Sequence, residues 1–157
     1  MDAGLAALLN HQTGVLMGEQ NPGRGGNRHY SIAPYESYTC ADGDIIVAAA
    51  NDKLYAGVCR VIGRPELIDD PRFVTNTIRR QNLEELNEIL EPAFAANTRA
   101  HWIAKLRDED VPCGPINSLR EALDWAIDMG MEPIFTGSDG YQAVSYTHLR
   151  AHETYRD

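Results

Sequence analysis

Residues 2–18 run Asp-Ala-Gly-Leu-Ala-Ala-Leu-Leu-Asn-His-Gln-Thr-Gly-Val-Leu-Met-Gly. Ala and Leu are strong helix formers, and here the apolar side chains occupy most of the circumference rather than one stripe. A helix apolar nearly all round must be packed from several sides, which asks for more interior than a chain of 157 residues readily supplies. The segment therefore predicts one helix left over from a larger domain, and a chain that is a piece of a longer protein.

The next stretch, 19–34, changes character. Glu-Gln-Asn-Pro-Gly-Arg-Gly-Gly-Asn-Arg-His-Tyr-Ser-Ile-Ala-Pro is polar and glycine-rich. Gly23, Gly25 and Gly26 permit positive φ and let backbone approach a ligand closely. A loop of this length reads either as a plain connector or as a functional loop. Beyond it, Tyr35–Cys40, a turn at Ala41-Asp42-Gly43 and a strand over 44–50 predict a hairpin, the second strand reading as continuously buried through Ile45, Ile46 and Val47.

Asn51 predicts the cap of a helix to about Ile62, with Leu54, Val58, Cys59 and Ile62 on one face, Gly63 ending it and Pro65 following. Residues 76–96 predict one longer helix with Leu83, Leu86, Ile89 and Leu90 inward, disturbed at Pro92. Thr98 caps a helix carrying Trp102, Ile103 and Leu106. After the short segment 111–117, Ser118 and Glu121 form a capping box for a helix to about Met129. Ile134–Phe135 and a turn at Ser138-Asp139-Gly140 suggest a further strand pair.

Chemistry is sparse in this pattern. The net charge is −9 and apolar residues make up 43%, with no Lys/Arg block and no apolar run near the roughly 20 residues of a membrane span. That argues against nucleic-acid and membrane partners. With no secretory pattern at the start, a cytoplasmic location is expected. Cys40, Cys59 and Cys113 contain no Cys-x-x-Cys, and no His pair has ligand spacing in the body of the chain, so neither a disulfide framework nor a metal site is expected. Cys59 reads as a core filler, and Cys113, in Pro-Cys-Gly-Pro with no His beside it, as a turn residue rather than a nucleophile. Asp42 and Asp44 flank a hairpin turn and Asp52 opens a helix, positions where a carboxylate serves the backbone. No residue is assigned a catalytic role.

Residues 144–157, containing Val-Ser-Tyr-Thr-His-Leu-Arg-Ala-His-Glu-Thr, resemble the in-frame translation of a sequencing adapter. They are set aside as an artefactual tail, together with the His148/His152 spacing that would otherwise suggest a metal.

Five segments in order resemble family III CoA-transferases, the CaiB/BaiF family. Asp2-Ala3 is similar to that family's helix opening, and Arg24-Gly25-Gly26-Asn27 with His29 and Ala33-Pro34-Tyr35 to its glycine loop. Ala41-Asp42-Gly43 followed by Asn51-Asp52, Asp69-Asp70-Pro71-Arg72-Phe73 with Thr75-Asn76, and Val111-Pro112-Cys113-Gly114-Pro115-Ile116-Asn117 match three further signatures.

The resemblance implies an α+β fold: the small domain inserted into a large Rossmann-like domain, in a parent that forms an interlocked homodimer. The implied organisation is a remnant helix at 1–18, a glycine-rich active-site loop at 19–34, the small domain at 35–130 and a return linker at 131–143.

The implied activity moves CoA from an acyl-CoA, with succinyl-CoA as candidate donor, to a carboxylic acid. It proceeds through an aspartyl-CoA intermediate whose Asp lies outside this chain, with CoA as thioester substrate and no other cofactor. Gly25, Gly26, Asn27 and His29 are the implied substrate-binding residues. The loop continues Arg28-His29-Tyr30-Ser31 rather than with further glycines, which resembles the branch that takes larger acids and speaks against oxalate or formate. The competing expectations are a 2-methylacyl-CoA racemase-like enzyme and a CoA-binding or dimerisation module without chemistry.

Overall fold

The computed structural model describes residues 9–18, 23–131, 133–136, 140 and 142–144. The chain divides into two compact units, residues 1–116 and 117–157.

The first unit opens with α1 (Leu9–Gly18); the earlier part of the predicted helix lies outside the described residues. Leu16 and Met17 on α1 are each 83% exposed, so among the described residues nothing encloses these two side chains. Then β1 (Tyr35–Cys40) and β2 (Gly43–Ala48) form the expected hairpin, paired antiparallel from Tyr35 with Ala48 to Cys40 with Gly43. The expectation of a continuously buried β2 is corrected: Ile45 and Val47 are fully buried while Ile46 is only half-buried, because the hairpin shows one face to the core.

On β1 the same alternation buries Glu36, Tyr38 and Cys40. Helix α2 (Asp52–Val61) is capped by Asn51, whose Oδ1 accepts from Leu54 N at 3.0 Å. A 3₁₀ turn, Pro65–Ile68, follows.

The single helix expected over 76–96 is two: α3 (Asn76–Gln81) and α4 (Leu83–Ala95). The break falls at Asn82, not at Pro92. Asn82 leaves helical geometry at φ −106°, ψ 28°; its backbone N still donates to Ile78 O at 3.0 Å, while its side-chain Nδ2 donates to Arg72 O at 2.9 Å. Pro92, exposed in the later turns of α4, is carried within the helix.

Helix α5 (Arg99–Asp108) starts at Thr98, whose hydroxyl accepts from His101 N. The segment expected only as a turn contains β3 (Cys113–Pro115), which adds to β2 with Val47 opposite Cys113 and gives the order β1-β2-β3.

Helices α4 and α5 pack on the sheet, and α2 packs on α5 and the 3₁₀ turn. The core gathers Tyr38, Ile45, Val47, Tyr55, Val58, Cys59, Phe73, Leu86, Leu90, Phe94, Trp102 and Leu106. Trp102 Nε1 donates to Phe94 O at 2.7 Å, so its one polar atom is satisfied inside. Gly57 lets α2 sit close: a Cβ there would lie 2.9 Å from Val111 Cγ2.

The second unit holds α6 (Leu119–Asp128), β4 (Ile134–Thr136) and β5 (Gln142–Val144). The capping box is present: Ser118 Oγ accepts from Glu121 N, and Glu121 Oε2 from Ser118 N. The two strands pair antiparallel, Phe135 opposite Ala143. Of the tail 144–157, Val144 pairs with Ile134 in β5, and residues 145–157 lie outside the described residues.

Candidate active-site loop

The glycine loop makes a tight turn over Gly25–Arg28, closed by Arg28 N donating to Gly25 O at 3.3 Å. Gly26 takes φ +61°, a conformation that side-chain-bearing residues rarely adopt and that primed turns require. Gly25, Gly26 and Asn27 are all exposed.

Two sets of side chains hold this loop. The first is a face of α3, where positions i, i+3 and i+4 lie together. Asn76 accepts from Ala33 N at 3.0 Å and donates to Ser31 O at 2.9 Å. Arg79 Nε donates to Ala33 O at 2.8 Å, and Arg80 Nη1 to His29 O at 3.3 Å. One short helix thus binds the loop backbone at residues 29, 31 and 33.

Arg79 is fully buried. Besides Ala33 it donates to Phe73 O at 2.8 Å and Asp52 Oδ1 at 2.6 Å, and its guanidinium carbon lies 4.2 Å from the centre of the Tyr55 ring. Both backbone contacts and the cation–π contact compensate the removal of this charge from water.

The second set starts at Arg28. Its Nε donates to the buried Glu36 at 2.9 Å, and its Nη1 to Glu84 at 2.5 Å. Glu36 also accepts from Asn87 Nδ2 at 2.9 Å, and Asn87 Oδ1 accepts from the Tyr38 hydroxyl at 3.3 Å. A line of polar groups therefore runs from the loop into the core with every member partnered. The Glu84 bonds, with those of Glu36, hold the Arg28 guanidinium firmly protonated against the cost of burial.

The four residues expected at the substrate divide. Gly25, Gly26 and His29 line a groove of about 640 Å³ between α1 and the loop, with Arg24, Arg28 and Arg80. Asn27 is not among the lining residues: its amide donates to Ser37 Oγ at 3.2 Å. The His29 ring stacks on both Tyr30 and Tyr35, with centroids 5.2 and 4.9 Å away, and its Nδ1 accepts from Ser31 N at 3.2 Å. That bond favours the neutral ring with its proton on Nε2. Burial, then the neighbouring His11 and Arg80, pull the His29 pKa below the ordinary histidine value.

Among the described residues no Asp or Glu lines the groove, and none form a metal-binding group. Asp42 accepts from Arg99 N at 2.6 Å and Asp52 pairs with Arg79, so both are engaged in structure. Asp2 lies outside the described residues. Cys40 and Cys59 are buried and Cys113 is half-buried, its Sγ 3.9 Å from Ile103 O; burial raises all three thiols.

Sequence reasoning passed over Arg79, Glu36 and Asn87 because charged and amide residues read as surface. Only the alternation of β1, which puts Glu36 in phase with Tyr38 and Cys40, carried a local signal.

The profile of CoA-transferase family III matches residues 1–144. The chain is 37% identical over 122 residues to a succinyl-CoA:glutarate CoA-transferase of Mus musculus, covering 78% of this chain and 28% of that protein. It is 40% identical over 101 residues to an acetyl-CoA:oxalate CoA-transferase of Acetobacter aceti, covering 64% and 26%. The fold superposes on a CaiB/BaiF family protein from Brucella suis with a TM-score of 0.78 and 29% identity, covering 90% of this chain and 37% of that one. This chain thus spans little more than a quarter of those curated relatives. The match over residues 1–144 places the chain in CoA-transferase family III.

Proposed function

We propose that this chain is the loop-bearing part of an enzyme that moves CoA between an acyl-CoA, succinyl-CoA being the candidate donor, and a carboxylic acid. The observation that carries the reading is a glycine turn clamped on both sides beside a groove rich in Arg and His. The succinyl-CoA:glutarate relative supports a donor and acceptor of that size, and the oxalate relative keeps smaller acids as the alternative outcome.

In the reaction, an Asp carboxylate outside this chain attacks the donor thioester, giving a mixed anhydride and CoA thiolate. The thiolate then attacks the aspartyl carbonyl, releasing the donor acid and leaving aspartyl-CoA. The acceptor carboxylate attacks that thioester, and returning thiolate takes the acceptor acyl group, freeing the Asp. Negative charge builds on a carbonyl oxygen at each step. Backbone N–H groups of Gly25 and Gly26, presented without side chains, suit that charge.

CoA enters as substrate, with no resident cofactor. Among the described residues no helix is long and apolar enough to cross a membrane, and the proposed setting is a cytoplasmic homodimer. Exposed Leu16, Met17 and Trp125 support burial against further chain.

The test replaces the matching segment of the mouse relative with residues 1–143 of this chain and assays transfer from succinyl-CoA to glutarate. A chimera active at least within about tenfold of the parent, and slowed by about 10²-fold on Gly26→Val, is expected. A folded chimera that binds succinyl-CoA and transfers nothing would overturn the reading.

A further inference from the structure

The groove between α1 and the glycine turn holds more positive charge than its surroundings neutralise. Arg28 is matched by Glu36 and Glu84. Among the described residues no carboxylate lies within ion-pair distance of Arg24 or Arg80, although both line the groove. His11 lines it too, 4.6 Å from the Tyr30 ring, and its Nδ1 is buried with no hydrogen-bond partner. A buried polar atom left so is destabilising. His11 and Arg80 each disfavour a charge on His29, so the groups crowd one another as they stand. An anion seated among them would relieve that crowding and give His11 a route to a partner.

Among the described residues no carboxylate lines the groove, so the side of it built by this chain meets an incoming anion with basic groups alone. Tyr30, Leu83 and Gly14 give it an apolar stretch beside the charges, suited to a short methylene chain. A guanidinium matches a carboxylate through two parallel hydrogen bonds.

We propose that this groove binds the distal, non-reacting carboxylate of a dicarboxylic acyl group, with Arg80 and Arg24 as the specificity-determining cations and His29 and His11 donating beside them. The inference rests on the CoA-transfer reading above. A phosphate of CoA is the other source of negative charge, and the experiment separates the two.

The 157-residue chain, ¹⁵N-labelled at histidine, is titrated near neutral pH and at constant ionic strength with glutarate, butyrate and adenosine 3′,5′-bisphosphate, following the ring signals of His29 and His11. Glutarate is expected to move both rings and to bind at least about tenfold more tightly than butyrate. That preference should be lost in Arg80→Gln and reduced in Arg24→Gln, while Arg120→Gln, on the exposed α6, should leave it unchanged.

Equal affinity for glutarate and butyrate would overturn the proposal. So would a preference that survives both groove variants, or stronger binding of the bisphosphate at the same rings. Binding of glutarate by the chain does not depend on turnover. An active chimera with a groove indifferent to dicarboxylates sinks this inference alone, and an inactive one with a selective groove sinks only the transfer reading.

Discussion

Residues 35–116 and helix α6 both carry apolar residues at helical or strand spacing, and they end differently. In the first region Phe73, Leu86, Leu90, Phe94 and Leu106 are fully enclosed, and even Arg79 and Glu36 are taken inside with their hydrogen bonds made. In α6 no residue is buried; Leu119 is 78% and Trp125 60% exposed, although the helix is well capped and clearly two-sided. Capping and amphipathic spacing are enough to make a helix, but enclosure needs several elements converging on it. The stability of this chain is therefore expected to reside in the first region, and the apolar face of α6 to serve contact rather than folding.

The sharpest way to break that contrast is Arg79→Met. Removing the guanidinium leaves the buried Ala33 O and Phe73 O without a partner, at about 1–3 kcal/mol each, and the exposed Asp52 unpaired; the combined loss is read by chemical denaturation. Phe94→Ala, which opens a cavity beside Tyr38 and Trp102, should cost about 3–4 kcal/mol by the same measurement. Glu36→Ala leaves Arg28 and Asn87 without their shared acceptor. A loss of about 1–3 kcal/mol is expected, with faster amide exchange over residues 25–33.

The pH dependence has a definite sign. His29 has its pKa lowered in the folded chain, so protonation is penalised there relative to the unfolded chain. Its contribution is present above the ordinary histidine value and is lost as pH falls through that value toward the folded one. The melting temperature should drop in that window, and less so in His29→Asn. Smallest of all, Trp125→Ser on α6 should change stability by no more than about 0.5 kcal/mol in the isolated chain. A larger loss would show that this face is covered after all.

What the sequence disclosed depended on how local the signal was. The Asn51, Thr98 and Ser118 caps act within three residues, and the hairpin turns over Ala41–Gly43, so these were legible. β3 was not, because a Pro-Cys-Gly-Pro stretch becomes a strand only when β2 lies beside it. The break at Asn82 depends on the Arg72 carbonyl ten residues away.

In the site, the glycines, Asn27 and His29 could be picked out by residue type, whereas three further groove-lining residues come from separate places: His11 on α1, Arg24 in the loop and Arg80 on α3. Arg79 and Arg80 are adjacent and read alike as surface charge. The helical turn sends one into the core and the other to the groove, and only the packed structure tells which.

The central claim is that this chain supplies the clamped loop while the carboxylate that carries CoA lies elsewhere in the protein. The direct measurement is to load the active chimera with succinyl-CoA, reduce the enzyme thioester with borohydride, and locate the modified residue by peptide mass spectrometry. The mark is expected on an Asp outside the segment contributed by this chain; a mark on any Asp or Glu within that segment would place the nucleophile here instead.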